Sequence, residues 1–151
     1  MVANRYTENE QNEPWTLTER ERTVGAVNAL LCDDDRRLRA LYRMEFEYVG
    51  VAVREAANGN ECIEMAAGEA PQLIVLDLYM PRRGGLSTLP QLRASLPEVP
   101  LLVVTAYAAV EVLRQSLALG ATACYTKPGF LARIPEVVER YLPSAGRAAR
   151  N

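Results

Sequence analysis

Three consecutive aspartates, Asp33-Asp34-Asp35, follow the short apolar run at 29–32, and a fourth, Asp77, ends the run LIVL at 73–76. Thr105 closes the run LLVVT, and Lys127-Pro128 follows TACYT. A lone buried charge is costly, so a carboxylate at the end of an apolar run must be neutral, paired, or placed where the run emerges into a site. Carboxylates gathered closely raise one another's proton affinity unless a cation balances them. Mg²⁺, or Mn²⁺ in its place, is the natural cation, because it binds through a few carboxylates and keeps its other positions for water or phosphate oxygens. With a lysine ammonium and a threonine hydroxyl added, such a set holds a group rich in anionic oxygens. That is phosphoryl chemistry.

Each residue has a plainer reading when taken alone. An aspartate run after a strand is commonly a solvated turn or a helix N-terminus. Asp77 could cap the next helix, Thr105 is a common strand residue, and Lys127 could be a surface charge. What separates the readings is whether the chain brings all of them to one place.

The pattern along the chain says that it does. Apolar runs at 29–32, 51–53, 73–77, 101–105 and 122–126 read as strands. They alternate with helical patterns at 36–50, 56–70, 85–96, 108–120 and 134–142. Gly50 and Gly120 stop two of these helices, and Asn58 opens one. Pro90 is expected to kink the third helix or delay its start, and Pro135 to sit in the first turn of the last. Strands alternating with helices, the first, third and fourth almost continuously apolar, describe a doubly wound α/β parallel sheet. Ligands of such sheets bind beyond the carboxyl ends of the strands, where all the residues above fall.

Composition narrows the chemistry. The chain has 151 residues, 49% of them hydrophobic, with a net charge of -2 and no polybasic block, so nucleic-acid binding is not expected. No apolar run reaches the roughly 20 residues of a membrane span and no secretory signal is evident, so the expected location is cytoplasmic. Cys32, Cys62 and Cys124 form no close metal-binding pair. There is no histidine, which removes Ser-His and Cys-His catalysis. Residues 1–26 are polar and acidic and read as an extension, with a capping box at Thr18 and Glu21 and the lone tryptophan, Trp15, as a docking element or part of a disordered arm.

The stretches LLCDDDRRLR, LIVLDLYMPRRGGL, LLVVTAY and GATACYTKP resemble the receiver domains of two-component response regulators. The resemblance implies a CheY-like, flavodoxin-like sheet of five parallel strands in the order 2-1-3-4-5 with five helices, over residues 27–142, followed by a flexible tail at 143–151. By the same resemblance Asp77 is the phosphoacceptor, attacking a phosphohistidine on a sensor histidine kinase or histidine phosphotransfer protein. Asp34 is a direct Mg²⁺ ligand, Asp33 acts mainly through water, and the backbone carbonyl of Tyr79 completes the metal set with Asp77. Lys127 neutralises phosphoryl oxygens, and Thr105 turns its hydroxyl toward the aspartyl phosphate. The chain is then a phosphoacceptor with Mg²⁺-dependent self-phosphorylation and self-dephosphorylation and not an enzyme otherwise. It would be a single-domain receiver acting on a downstream protein target, with a homodimer through the fourth and fifth helices open. Leu113, Leu117 and Val138 are core or interface in that view.

The sequence departs from the family at several positions. Cys124 stands three residues before the lysine, where an aromatic switch residue is usual, and Tyr125 falls on the opposite face. Either Tyr107 fills the gap beside Cys124 or the fourth helix repacks. Gly129 before Phe130 is expected to loosen the entry to the last helix, and Arg82 and Arg83 either dock an acidic kinase surface or serve solubility. Tyr79 and Tyr107 flank the route of the hydrolytic water, which predicts a long-lived phosphoryl state. Two alternatives remain: a degenerate receiver that docks without phosphorylation, and an aspartate-nucleophile phosphatase, which would leave Asp77 on the third strand unexplained.

Overall fold

A computed structural model of the protein describes residues 27–143. Trp15 and the capping box at Thr18 and Glu21 lie outside the described residues, as does the tail from 144.

The elements follow in strict alternation: β1 (Asn28–Cys32), α1 (Arg36–Tyr48), β2 (Ala52–Ala56), α2 (Gly59–Gly68), β3 (Leu73–Leu76), α3 (Gly85–Ser95), β4 (Leu101–Thr105), α4 (Val110–Ala118), β5 (Ala123–Thr126) and α5 (Lys127–Tyr141). The sheet is parallel in the order β2-β1-β3-β4-β5. Its three inner strands are the ones with near-continuous apolar sequence, because helices cover both of their faces. Alternate residues feed two cores. Leu31, Val75 and Val104 pack with Tyr42 and Phe46 of α1 and Phe130 and Ile134 of α5. Leu30, Ile74 and Val103 pack with Cys62 of α2 and Leu89 and Leu92 of α3.

Local signals set the helix ends. Asn58 caps α2 by accepting the Glu61 N–H at 3.0 Å. Gly50 and Gly120 follow α1 and α4 with φ of 88° and 117°, a left-handed geometry that side chains with a Cβ resist.

Three local expectations need correction. β2 extends to Ala56 instead of stopping at 53, because this edge strand can keep charged residues as ion pairs. Glu55 meets Arg39 at 3.0 Å and also pairs with Arg43. Pro90 does not delay α3, which starts at Gly85; its exposed side chain lies within the helix, on the face turned from the core. The last helix begins at Lys127 rather than near 134, so Pro135 is inside it and Pro128 occupies its first turn. Gly129 does not loosen that entry. Phe130 is fully buried, edge-on to Tyr42 at 5.1 Å and to Tyr125 at 5.4 Å, and so extends the apolar stripe back to the start of α5.

Candidate functional site

Cys32 of β1 and Leu76 of β3 are paired, so the next residue of each strand, Asp33 and Asp77, leaves the sheet at the same edge. The ladder runs on through their backbones. Asp77 N–H donates to the Cys32 carbonyl at 2.8 Å and Asp33 N–H to the Ala56 carbonyl at 3.1 Å. Both side chains are nearly buried, at 5% exposure for Asp33 and 3% for Asp77.

The aspartate triplet divides into three environments. Asp35 is the N-cap of α1 and accepts the Arg37 and Leu38 N–H groups at 3.0 and 3.1 Å. Asp33 Oδ1 accepts the Asp35 N–H at 2.8 Å, which turns the chain and fixes the carboxylate. Asp34 is exposed. The plain reading of the run as a helix cap is therefore right for Asp35 alone.

Lys127 enters from the other side of the sheet. Thr105 of β4 and Thr126 of β5 are paired, and Lys127 is the next residue. Its Nζ lies 3.1 Å from Asp33 Oδ2 and 3.1 Å from Asp77 Oδ2. Asp33, Asp34 and Asp77 each present a carboxylate oxygen within 4.8 Å of the others. One ammonium among three such groups leaves a net negative, all-oxygen cluster, the donor chemistry that a hard divalent cation takes.

Burial pushes the Asp77 pKa up and the neighbouring Asp33 charge adds to it, while Lys127 and the Tyr79 N–H, which donates to Asp77 Oδ1 at 3.3 Å, pull it back. For Lys127, burial opposes the charged form, but hydrogen bonding and attraction from Asp33 and Asp77 outweigh it and raise the pKa. Lys127 is thus held protonated.

The other predicted residues sit at the same edge with different partners. Thr105 is fully buried, and its Oγ1 accepts the Tyr107 N–H at 3.2 Å. Tyr79 and Tyr107 are both more than half exposed, so Tyr107 does not fill the space beside Cys124. Cys124 instead packs against the core cluster that holds Leu101 and Val103, with its Sγ 4.0 Å from the Leu113 carbonyl of α4, while Tyr125 joins the core on the opposite face. Arg83 is tied to Ser87 and Gln91 by its Nη2, whereas Arg82 is exposed with φ 67°.

Sequence reading missed two supports. Arg39 Nη1 donates to the Asp33 carbonyl, pinning the backbone under the cluster. Gly85, at the start of α3, packs so tightly on the acidic loop that a Cβ there would lie 2.4 Å from the Asp77 carbonyl oxygen and 2.8 Å from Leu78 Cα. The only sequence signal was the Gly84-Gly85 pair before the third helical pattern.

The family model described as the response regulator receiver domain matches residues 29–139. The chain belongs to the response regulator receiver family. The receiver is 35% identical over 124 residues to response regulator MprA of Mycolicibacterium vanbaalenii, covering 80% of this chain and 54% of that protein. It therefore spans about half the length of that relative. It is 29% identical over 114 residues to sporulation initiation phosphotransferase F of Bacillus subtilis, covering 76% of this chain and 92% of that one. Among solved structures, a CheY-like receiver domain protein of Methanospirillum hungatei superposes with a TM-score of 0.73 at 26% identity, over 80% of this chain and 97% of that one. The receiver is accordingly a phosphorylatable module of two-component signalling with a flavodoxin-like fold. No helix among the described residues is long and apolar enough to cross a membrane.

The raised Asp77 pKa carries a stability consequence when divalent metal is removed. The folded state holds the Asp77 proton more tightly than the unfolded chain does, so ionised Asp77 costs stability at neutral pH. That cost is relieved as pH falls through the raised pKa toward the usual aspartate range. Asp77→Asn should therefore be more stable than the parent in chelator at neutral pH, with the gap closing in acid. Urea titrations across pH measure it, and a pH-independent gap would contradict the assignment. Mg²⁺ at a hundredfold excess over its Kd should add about 2.7 kcal/mol to the parent, raising Tm by roughly 5–10 °C.

Proposed function

We propose that Asp77 accepts the phosphoryl group, from a phosphohistidine on a sensor histidine kinase or histidine phosphotransfer protein. The observation that carries this reading is Lys127 Nζ, 3.1 Å from both Asp33 and Asp77 beside a three-carboxylate cluster. Asp33, Asp34 and Asp77, with the Tyr79 backbone carbonyl, would hold Mg²⁺ or Mn²⁺. When bound, that cation supplies positive charge to the phosphoryl oxygens and screens the aspartates from one another.

The chain's own groups account for the rest. A carboxylate oxygen of Asp77 attacks phosphorus in line with the donor nitrogen. The P–N bond breaks, and its electron pair leaves on the imidazole, which belongs to the partner; this chain has no histidine of its own. Lys127 Nζ donates to the phosphoryl oxygens as their charge shifts, the electrostatic contribution that dominates phosphoryl transfer. Thr105 leaves its Tyr107 contact and turns its hydroxyl to the aspartyl phosphate. Tyr79 and Tyr107, both exposed at this edge, shield the new bond from water and prolong the phosphorylated state.

The unit that does this is residues 27–142, with 1–26 as an extension and 143–151 as a tail. It acts in the cytoplasm as a regulator through a downstream protein target, without nucleic acid or membrane and with no catalysis beyond its own phosphorylation and dephosphorylation. Leu117, half exposed on α4, is available to a homodimer through α4 and α5, whereas Val138 belongs to the core.

Intact mass after incubation with acetyl phosphate and Mg²⁺ tests the proposal. One phosphoryl adduct is expected, absent in chelator and in Asp77→Asn. An unmodified parent chain that is folded and binds Mg²⁺ would favour a docking module that works without phosphorylation. Turnover of a phosphomonoester would favour the phosphatase.

A further inference from the structure

Cys32 and Cys62 stand 30 positions apart in the chain, and the fold brings them together. Cys32 ends β1, Cys62 lies near the start of α2, and both are buried in the same apolar core. One backbone oxygen locates them. The Asn58 carbonyl accepts the Cys62 N–H at 3.0 Å and lies 3.4 Å from Cys32 Sγ. The two thiols hydrogen-bond each other. A third sulfur completes the group, since Met80 Sδ is 3.6 Å from Cys32 Sγ. Core packing asks only for small apolar side chains at 32 and 62, and does not call for three sulfurs in contact.

Two thiols and a thioether form a donor set unlike the acidic cluster beside it. Asp33, Asp34 and Asp77 offer only oxygen, which suits a hard divalent cation. Sulfur donors select soft ions, and a thioether favours Cu(I) over Zn(II), which takes thiolate, imidazole or carboxylate and a fourth ligand. Size agrees. A metal–sulfur bond of about 2.3 Å in a trigonal plane sets the sulfurs roughly 4 Å apart, so the observed 3.6 Å contact has to open by only about 0.4 Å. Met80 can supply that movement, because its side chain has three rotatable bonds and is only half-buried, on the loop after β3. The same exposure gives an ion a way in, past the thioether to the two thiols below.

We infer that Cys32, Cys62 and Met80 form a three-sulfur site for a soft monovalent cation, Cu(I). The ion replaces the two thiol protons, which pass to solvent, and is held by two thiolates and the Met80 thioether. Cys32 precedes Asp33 and Met80 follows Tyr79, so the site adjoins the acidic loops while using none of their oxygens.

Anaerobic competition against a coloured Cu(I) chelator, bathocuproine disulfonate, tests the site on the full chain. The parent should take up one Cu(I), with thiolate-to-metal absorption in the near ultraviolet, and excess Mg²⁺ should leave it bound. Cys62→Ala should weaken the binding by more than the roughly 10- to 100-fold that a lost outer-shell partner costs, and Met80→Leu should weaken it within that range. Cys124→Ala should bind as the parent does, because Cys124 Sγ sits apart, 4.0 Å from the Leu113 carbonyl. Far-UV circular dichroism checks that each variant folds. Met80→Leu conserves volume at a half-buried position and carries the test if Cys62→Ala does not fold. A parent that takes no Cu(I) from the chelator would overturn the inference, as would binding that survives both substitutions unchanged. Zn(II) held as tightly as Cu(I) would overturn the assignment to a soft monovalent ion.

Discussion

Lys127→Ala is expected to accept a phosphoryl group from acetyl phosphate roughly 10- to 150-fold more slowly than the parent at saturating Mg²⁺, the equivalent of losing one hydrogen bond to a charged group, about 1.5–3 kcal/mol. The Nζ of Lys127 touches Asp33 and Asp77 through equal 3.1 Å contacts, so it stands where phosphoryl oxygens on Asp77 would arrive. Removing it should also leave two nearly buried carboxylates facing each other. The metal-free variant should therefore melt below the parent, and added Mg²⁺ should restore more stability to it than to the parent. Stopped-flow or mass-resolved phosphorylation rates check the first effect and melting curves in chelator and Mg²⁺ the second. A variant phosphorylated at the parent's rate would remove Lys127 from the chemistry.

Phe130→Ala is expected to cost about 3–5 kcal/mol of unfolding free energy, the range for emptying a buried aromatic site. Phe130 is fully buried and makes edge contacts with Tyr42 and Tyr125, so it ties α5 to α1 and to the end of the sheet. It lies three residues after Lys127, in the first turns of α5. The same substitution should loosen the ammonium it positions, lowering the phosphorylation rate even where the protein is still folded. Urea midpoints with an unchanged m-value measure the stability loss. A cost within ~0.5 kcal/mol, typical of a surface change, would contradict this anchoring role.

The fold was legible because its strongest signals are also its cheapest. A strand buried on both faces has to be apolar throughout, so β1, β3 and β4 announced themselves, and a doubly wound sheet then places Asp33, Asp77, Thr105 and Lys127 at one edge. The triplet could be recognised as a site, but its division into a buried Asp33, an exposed Asp34 and a capping Asp35 depends on hydrogen bonds no spacing encodes. The edge strand β2 was cut short because Arg54 and Glu55 look like loop residues until their partners across the fold are seen. α5 was started too late because Pro135 reads as a helix opener, whereas Pro128 and the buried Phe130 decide the true beginning. Gly85 was invisible for a similar reason: its constraint is a backbone from another element arriving within contact distance. Cys124 was legible as a departure, but where it goes was not: it packs against the core beneath α3 and β4 while Tyr107 stays exposed.

The assignment of Asp77 is tested most directly by locating the phosphoryl group chemically. An acyl phosphate is a mixed anhydride, and borohydride cleaves it to an alcohol, converting a phosphorylated aspartate to homoserine. The protein is incubated with acetyl phosphate and Mg²⁺, reduced with borohydride, digested, and the peptides containing 33–35 and 73–81 are sequenced by mass. The account predicts homoserine at position 77 alone, with Asp33, Asp34 and Asp35 unchanged. Homoserine at any of those three with Asp77 intact would contradict it.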